Sequence, residues 1–545
     1  MTPAGAHVAA GQVGPRLPRA VRVGLVALPV GFLAVFFAWP VGAIIARGLT
    51  VNGVRDVLTD PGLRSVAWFT LWQAAASTAL TLTIGLLPAY VLSHYRFRGR
   101  AVMLALVTVP FVLPTVVVGA AFLTLLPASL DQTVWAILIA HVYFNLAVVI
   151  RSVGAFWGQL DPRVEEAART LGASPLQVLG RVTLPLLRPA LIAAASIVFL
   201  FTFTSFGVIR ILGGPRHATI EVEIWRLTTQ AFALPAAAAL AFVQLLAVSA
   251  LMIWWSRAQA RHAVTVRLRP AGHDVVLRTG GQRLLVGATV AGLAAVVLLP
   301  LGRLVLGSFT LADGYGLGAW RALGGAGGTG PSSRPVADPL GAIATSLRFA
   351  AMAAALAVLI GGAAACAIAY ARRGGHLVDA GLMLPLGTSA VTVGFGLLIT
   401  MDRRPLDLRG SWVLIPIAHA VVAVPFVVRA VLPTLRAIDP RLRDAAATLG
   451  APPGRVWREI DLPFLRRALV AGAGFAFAIS LGEFGATSFL TRVGDETMPI
   501  AIARLLGRPS ALNLGQANAL ATILMALTLL VVLAVDRFRG AATGF

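Results

Sequence analysis

Twelve stretches of this chain are long, apolar and almost free of charge, and they limit its fold more than any other feature. Their approximate bounds are 23–46, 65–93, 101–127, 132–150, 189–209, 231–256, 284–302, 349–371, 381–401, 410–428, 468–490 and 509–535. Each can cross ~30 Å of hydrocarbon as a helix of about 20 residues. Lipid offers no partner to a backbone N–H or C=O, so a spanning segment must satisfy its own, and a helix does so. The expected fold is an all-α polytopic membrane protein with about twelve transmembrane helices. Only the eleventh stretch carries an interior charge, Glu483.

Composition agrees and removes several function classes. Charged residues make up 12% of the chain and hydrophobic ones 58%, whereas soluble domains carry about 25% charged residues. A net charge of +23 in a soluble domain would point to nucleic acid. Here the arginines punctuate apolar runs, so they report topology and no nucleic-acid partner is expected. All 45 basic residues are arginine. Without lysine the phosphate-gripping GxxxxGK[ST] loop cannot be written, so any nucleotide that drives this chain must sit on another subunit. Cys366 is the single cysteine, which leaves neither a disulfide framework nor a cysteine-rich metal site. No cofactor and no catalytic residue are expected in this polypeptide.

The arginines orient the bundle. Arg16, Arg19 and Arg22 precede the first run, which exceeds the ~7–15 apolar residues of a secretory signal and is expected to stay in the membrane. Residues 1–19 are expected to be a flexible cytoplasmic tail. Arg96, Arg98 and Arg100 follow the second run, Arg163, Arg169, Arg181 and Arg188 the fourth, and Arg372 and Arg373 the eighth. Six more, from Arg257 to Arg283, occupy the segment between the sixth and seventh runs. All fall on one side, which the positive-inside bias makes cytoplasmic, with both termini there. Arg403, Arg404 and Arg409 dissent, on the opposite face.

The chain also repeats itself. Leu160-Asp161-Pro162-Arg163-Val164-Glu165-Glu166-Ala167-Ala168-Arg169-Thr170-Leu171-Gly172 continues to Val182-Thr183-Leu184-Pro185. At an offset of 278 residues, Ile438-Asp439-Pro440-Arg441-Leu442-Arg443-Asp444-Ala445-Ala446-Ala447-Thr448-Leu449-Gly450 continues to Ile460-Asp461-Leu462-Pro463. His141, Arg151 and Phe206-Gly207 match His419, Arg429 and Phe484-Gly485 at the same offset. Six helices duplicated in one orientation keep both repeated segments on one face. The halves are read as 20–256 and 284–545, joined by a cytoplasmic linker at 257–283.

Each repeated segment is expected to fold as helix–turn–helix. Asp161 and Asp439 suit helix caps, and Pro162 and Pro440 suit first helical positions. Gly172 and Gly450 suit the left-handed residue that ends a helix. Ala167-Ala168 and Ala445-Ala446 form a small-residue stripe that permits close approach of another surface, with Glu165, Glu166 and Asp444 as acidic handles.

These residues resemble the EAA loop of ABC importer permeases: E-A-A, three residues, G, nine residues, I-x-L-P. The first copy fits as Glu166-Ala167-Ala168, Gly172 and Val182 to Pro185, and the second as Asp444-Ala445-Ala446, Gly450 and Ile460 to Pro463, with aspartate in place of glutamate. The resemblance covers about 66–255 and 345–535, each a type I ABC permease core. It implies two copies of an ATP-hydrolysing subunit that bind ATP–Mg²⁺ and dock on the two loops. It also implies an extracytoplasmic solute-binding protein and a place in the bacterial cytoplasmic membrane. The fused chain, with Phe203 to Gly207, Leu212-Gly213-Gly214, Ala218 to Glu221 and Ser480 to Gly485, resembles the ferric-iron and thiamine permease group. That resemblance implies ferric iron or thiamine as solute, while polyamine, sulfate and molybdate permeases share the loop.

Along the path, Glu483 stands opposite Ser205 in the duplication. A carboxylate in an apolar span costs at least ~2.5 kcal/mol, so it faces a cavity or a partner. It either serves a cationic solute or pairs structurally, for instance with Arg492. Thr204 and Ser205 either line the path or bond across helices. His141 and His419, related by duplication and without a carboxylate at ligand spacing, are read as structural equivalents, with no metal site expected. Glu221 and Glu223 either meet a delivery protein at the outer face or are solvated. The rival readings are a secondary transporter, which would need midplane coupling charges, and a sensor or scaffold that uses the loops for docking alone.

Overall fold

The structure, a computed structural model, describes residues 19–49, 55, 59–262, 275–312, 314–326, 338–370, 375–402, 406–508 and 510–540. Nearly all of the expected tail, the middle of the linker and two of the dissenting arginines, Arg403 and Arg404, lie outside these residues.

Among the described residues, ten helices are long and apolar enough to cross a bilayer. The third and ninth expected spans are broken: Arg100–Val112 and Thr115–Leu125 meet at 100°, Gly375–Gly387 and Ala390–Thr400 at 98°. In the first, Leu113 and Pro114 are both extended; proline lacks the N–H that would continue the ladder and forces its predecessor out of helical geometry. In the second, Thr388 and Ser389 are extended, and the Ser389 hydroxyl accepts the Val391 N–H at 3.0 Å to restart the helix. Apolar composition alone could not show these bends, because both limbs are equally apolar.

Each bent pair still carries the chain across. The helices Pro61–His94 and Val134–Trp157 end together: the Trp157 ring lies 5.2 Å from Tyr90 and 5.6 Å from His94. They also begin together, since His217 touches both Phe69, at 5.5 Å between rings, and the Gln132 carbonyl, at 3.1 Å. Two parallel neighbours need a crossing between them, and the bent pair supplies it. In the second half, Phe349 stacks on Trp412 at 6.1 Å at one end, while Arg443 lies over Tyr370 at 5.5 Å at the other. Ten long helices and two bent pairs make the expected twelve spans.

The spans are not segregated by half. In the first helix, Phe32 and Leu33 pack on the second half's cluster around Ile360, Val424 and Val427, and Pro40 and Ile44 press against Gly396. The seventh, Gly280–Gly307, leans on the first half: Leu293 packs with Leu146 and Ile150, and the Tyr143 hydroxyl donates to the Val297 carbonyl at 3.4 Å. Each half thus lends its first helix to the other. A short parallel pairing of Tyr95–Arg96 with Val275–Val276 brings the described end of the linker to the His94 end of the bundle, the face that holds both repeated loops.

Candidate functional site

Both repeated loops form two short helices at that face. The Asp161 carboxylate accepts the Arg163 N–H at 3.1 Å, and Asp439 accepts that of Arg441 at 2.9 Å. The helices Pro162–Thr170 and Pro440–Thr448 then end alike. Gly172 and Gly450 have φ of +85° and +81°. The N–H of Ala173 reaches back to the Ala168 carbonyl at 3.1 Å, and that of Ala451 to Ala446 at 3.0 Å. This closure uses a left-handed residue that glycine adopts without steric cost. The second alanine of each stripe therefore spends its carbonyl on ending the helix.

A π-helical turn follows in each copy, at Leu179–Thr183 and Trp457–Asp461. Pro185 and Pro463 come two residues later, at the start of the long spans. A proline ring clashes with the carbonyl four residues back and offers it no N–H; the wider turn accommodates that missing bond. Val178 and Leu187, like their counterparts Val456 and Leu465, are buried and anchor each loop to the bundle.

One expected handle faces inward. Glu165 is only partly exposed; one of its oxygens accepts the Thr183 hydroxyl at 2.8 Å, and the other receives Arg169 at 3.4 Å. At the duplicated positions stand Arg443 and Asp461, whose ion pair closes at 2.7 Å with the Asp461 side chain fully buried. The same strut, from the first loop helix to the π turn, is a hydroxyl–carboxylate bond in one half and a guanidinium–carboxylate pair in the other. Glu166 and Asp444 remain exposed beside Ala167 and Ala445.

Two loop leucines not singled out from the sequence stand almost fully in the open. Leu171 is 88% exposed and its counterpart Leu449 89%. A leucine in both copies immediately before a helix-ending glycine was the available signal, since among the described residues nothing covers either one.

At mid-bundle, the duplicated long helices stop at matching places. Leu184–Phe203 ends at Thr204, and Leu462–Gly482 ends at Glu483, which is extended. The expected fifth and eleventh spans begin and end earlier than their apolar runs, and Glu483 lies at a helix break, not inside a helix. The breaks meet on the axis between halves. The Phe206 and Phe484 rings, themselves duplicates, lie 5.2 Å apart. Gly207 abuts Thr115, and a methyl on Gly394 would fall 2.5 Å from the Ala486 Cα. Backbone from both bent pairs and both helix breaks therefore packs together at one place.

The polar side chains there are engaged. His141 Nε2 lies 2.9 Å from the Ser205 hydroxyl and its Nδ1 3.1 Å from that of Ser77. His419 Nδ1 lies 2.6 Å from Ser480 Oγ, and its Nε2 lies 2.8 Å from Thr487 Oγ1 and 3.3 Å from Glu483 Oε2. The Glu483 carboxylate also accepts the Ala486 N–H at 2.9 Å, the Thr487 N–H at 3.0 Å and the Thr487 hydroxyl at 2.6 Å. The Thr487 proton is committed to Glu483, so by donor count His419 Nε2 carries the proton it offers and Nδ1 accepts from Ser480. Glu483 pairs with His419; Arg492 instead donates to the Arg409 carbonyl. The Thr204 hydroxyl bonds the Leu200 carbonyl at 2.8 Å. Glu221 and Glu223 are buried, not offered at the surface: Gln244 donates to Glu221, and Arg226 pairs with Glu223 at 3.0 Å.

Residues 81–264 and 357–541 each match the family described as the binding-protein-dependent transport system inner membrane component. The chain belongs to that family. Its permease domain occurs twice here, as the duplication requires. A probable ABC transporter permease protein, y4fN of Sinorhizobium fredii, is 26% identical over 89% of this chain and 90% of its own length. The thiamine transport system permease ThiP of Brucella abortus is 28% identical over 94% of each chain. The sulfate transport system permease CysT of Salmonella typhimurium is 32% identical over 41% of this chain and 86% of its own. The permease thus resembles two relatives along most of both chains and a third over less than half of its own length.

Proposed function

We propose that this permease forms the solute path of an ATP-driven importer and is moved by two copies of a separate ATPase subunit, one docked on each repeated loop. The observation that carries this reading is the matched pair of loops. Two elements with the same aspartate cap, the same left-handed glycine ending and the same π turn stand on one face, each with a bare leucine before the glycine. A pair of like motors that close on each other needs two such equivalent grips. ATP–Mg²⁺ would be held by those subunits. An extracytoplasmic binding protein would deliver solute to the opposite face, and both termini would lie on the cytoplasmic side of a bacterial inner membrane. Opening then amounts to rocking the halves about the Phe206–Phe484 constriction.

A secondary transporter needs a titratable or ion-coordinating group at mid-bundle, and Glu483 is the carboxylate the sequence offered. Its oxygens are occupied by His419, Thr487 and Ala486, which favours a structural role. The same engagement withdraws Glu483 as a free charge for ferric iron or thiamine.

Exposed Glu166 and Asp444 provide the test. The double variant Glu166→Lys, Asp444→Lys is expected to lower ATPase co-purification with the permease about tenfold, ~1.4 kcal/mol, while membrane insertion is unchanged. ATP-driven uptake at the wild-type rate in that variant would refute the docking role.

A further inference from the structure

Beyond the Phe206–Phe484 contact, on the face away from the repeated loops, lies an open cavity of about 480 Å³. It is built from the segments that follow the two broken helices, and Phe484 forms part of its wall. Three arginines line it: Arg210, Arg504 and Arg508. Arg210 lies over the Trp225 ring at 4.1 Å, and Arg504 pairs with Glu496. Among the described residues neither Arg210 nor Arg508 has a carboxylate partner, and both are exposed. The Ser488 hydroxyl bonds the Phe484 carbonyl at 2.6 Å. The Thr491 hydroxyl, also in the wall, is buried without a hydrogen-bond partner. Glu483, just below, is bonded to His419, Thr487 and Ala486 and is not part of the cavity wall.

Three guanidinium groups around one cavity, with Glu496 as the paired carboxylate, repel one another and are relieved by an anion. Guanidinium forks match the paired oxygens of phosphate- and sulfate-like groups. The volume lies within the ~300–1,000 Å³ range of small-molecule sites. We infer that this outer vestibule binds a small solute carrying an oxyanion group, held by Arg210, Arg508 and Arg504 above the Phe206–Phe484 closure. This assigns a solute class to the importer proposed above and rests on that reading for its transport role, but binding itself needs only this chain.

The test is therefore made on the purified full-length permease in detergent, without ATPase or binding protein. Tryptophan fluorescence is titrated with inorganic phosphate, sulfate, glycerol 3-phosphate and thiamine, with Trp225→Phe as the reference that isolates the reporter under Arg210. Saturable quenching by at least one oxyanion is expected, with none by thiamine. Arg508→Ala and Arg210→Ala should each weaken binding about tenfold, while unaltered gel-filtration profiles show that the fold persists. Binding of the inorganic ions would assign a free oxyanion, and binding of glycerol 3-phosphate alone an organic phosphate. Absence of oxyanion binding, equal binding in the arginine variants, or tighter binding of thiamine would overturn the inference. None of these outcomes bears on whether the loops hold an ATPase.

Discussion

Asp461→Ala is expected to destabilise the second loop by about 3–5 kcal/mol, because it leaves the Arg443 guanidinium buried without its counter-charge. Arg443 and Asp461 are 8% and 0% exposed, so water cannot take over the lost partner. Thr183→Ala, the same deletion in the first loop, removes a neutral donor from a carboxylate that is partly exposed and still meets Arg169. It should cost about 1 kcal/mol. Hydrogen exchange across 440–461 and 162–183 measures the difference: the second loop should lose protection far more in its variant than the first does in its own. The double variant Arg443→Glu, Asp461→Thr copies the first loop's strut into the second and should restore most of the loss. Equal loosening of the two loops, or no recovery in the double variant, would contradict the account of a single strut built in two chemistries.

His419→Leu carries the second large effect. In the wild type, Glu483 sits at a helix break with His419 Nε2 3.3 Å from its carboxylate. Without the imidazole, the carboxylate keeps Thr487 and the Ala486 N–H but loses the Nε2–H donor, while Ser480 loses its acceptor. A loss of about 3 kcal/mol is expected, for a donor to a buried carboxylate and a second hydroxyl left unpaired. His141→Leu strands only the hydroxyls of Ser77 and Ser205 and should cost about 1–2 kcal/mol. Glu483→Ser, which reproduces the first half's residue, should recover part of the His419→Leu loss when the two are combined. Thermal unfolding of the detergent-solubilised permease reads all four variants. A His141 variant as damaged as the His419 one would show that the carboxylate adds nothing to the pair.

The fold was legible where physics is local. Uncharged length gave the spans, arginine placement gave a common face for both loops, and the offset of 278 residues gave the duplication. The loop ends were legible too, since aspartate caps and a left-handed glycine act within a few residues. What sequence could not reveal depends on partners far along the chain. The 100° and 98° bends occur inside runs of unbroken apolarity. The exchange of first helices between halves is a packing choice among equally apolar surfaces. Glu483 showed that it needed a partner but not which one, because His419 is brought to it only by the crossing of two spans. Glu165 looked like its neighbour Glu166 until the fold turned one toward Thr183 and left the other in water. The arginine vestibule stayed hidden for the same reason: Arg210 and Arg508 lie 298 residues apart and converge only when the halves meet.

The proposed pair of equivalent grips at the inner face is read most directly by cysteine accessibility. Cys366 is buried, so a membrane-impermeant thiol reagent reports on Leu171→Cys and Leu449→Cys without interference. Both positions should label in inside-out vesicles and not in intact cells, and both should be protected, and crosslinked to the ATPase, when that subunit is present. Labelling from the outside, or full labelling of both positions in the presence of bound ATPase, would contradict the account.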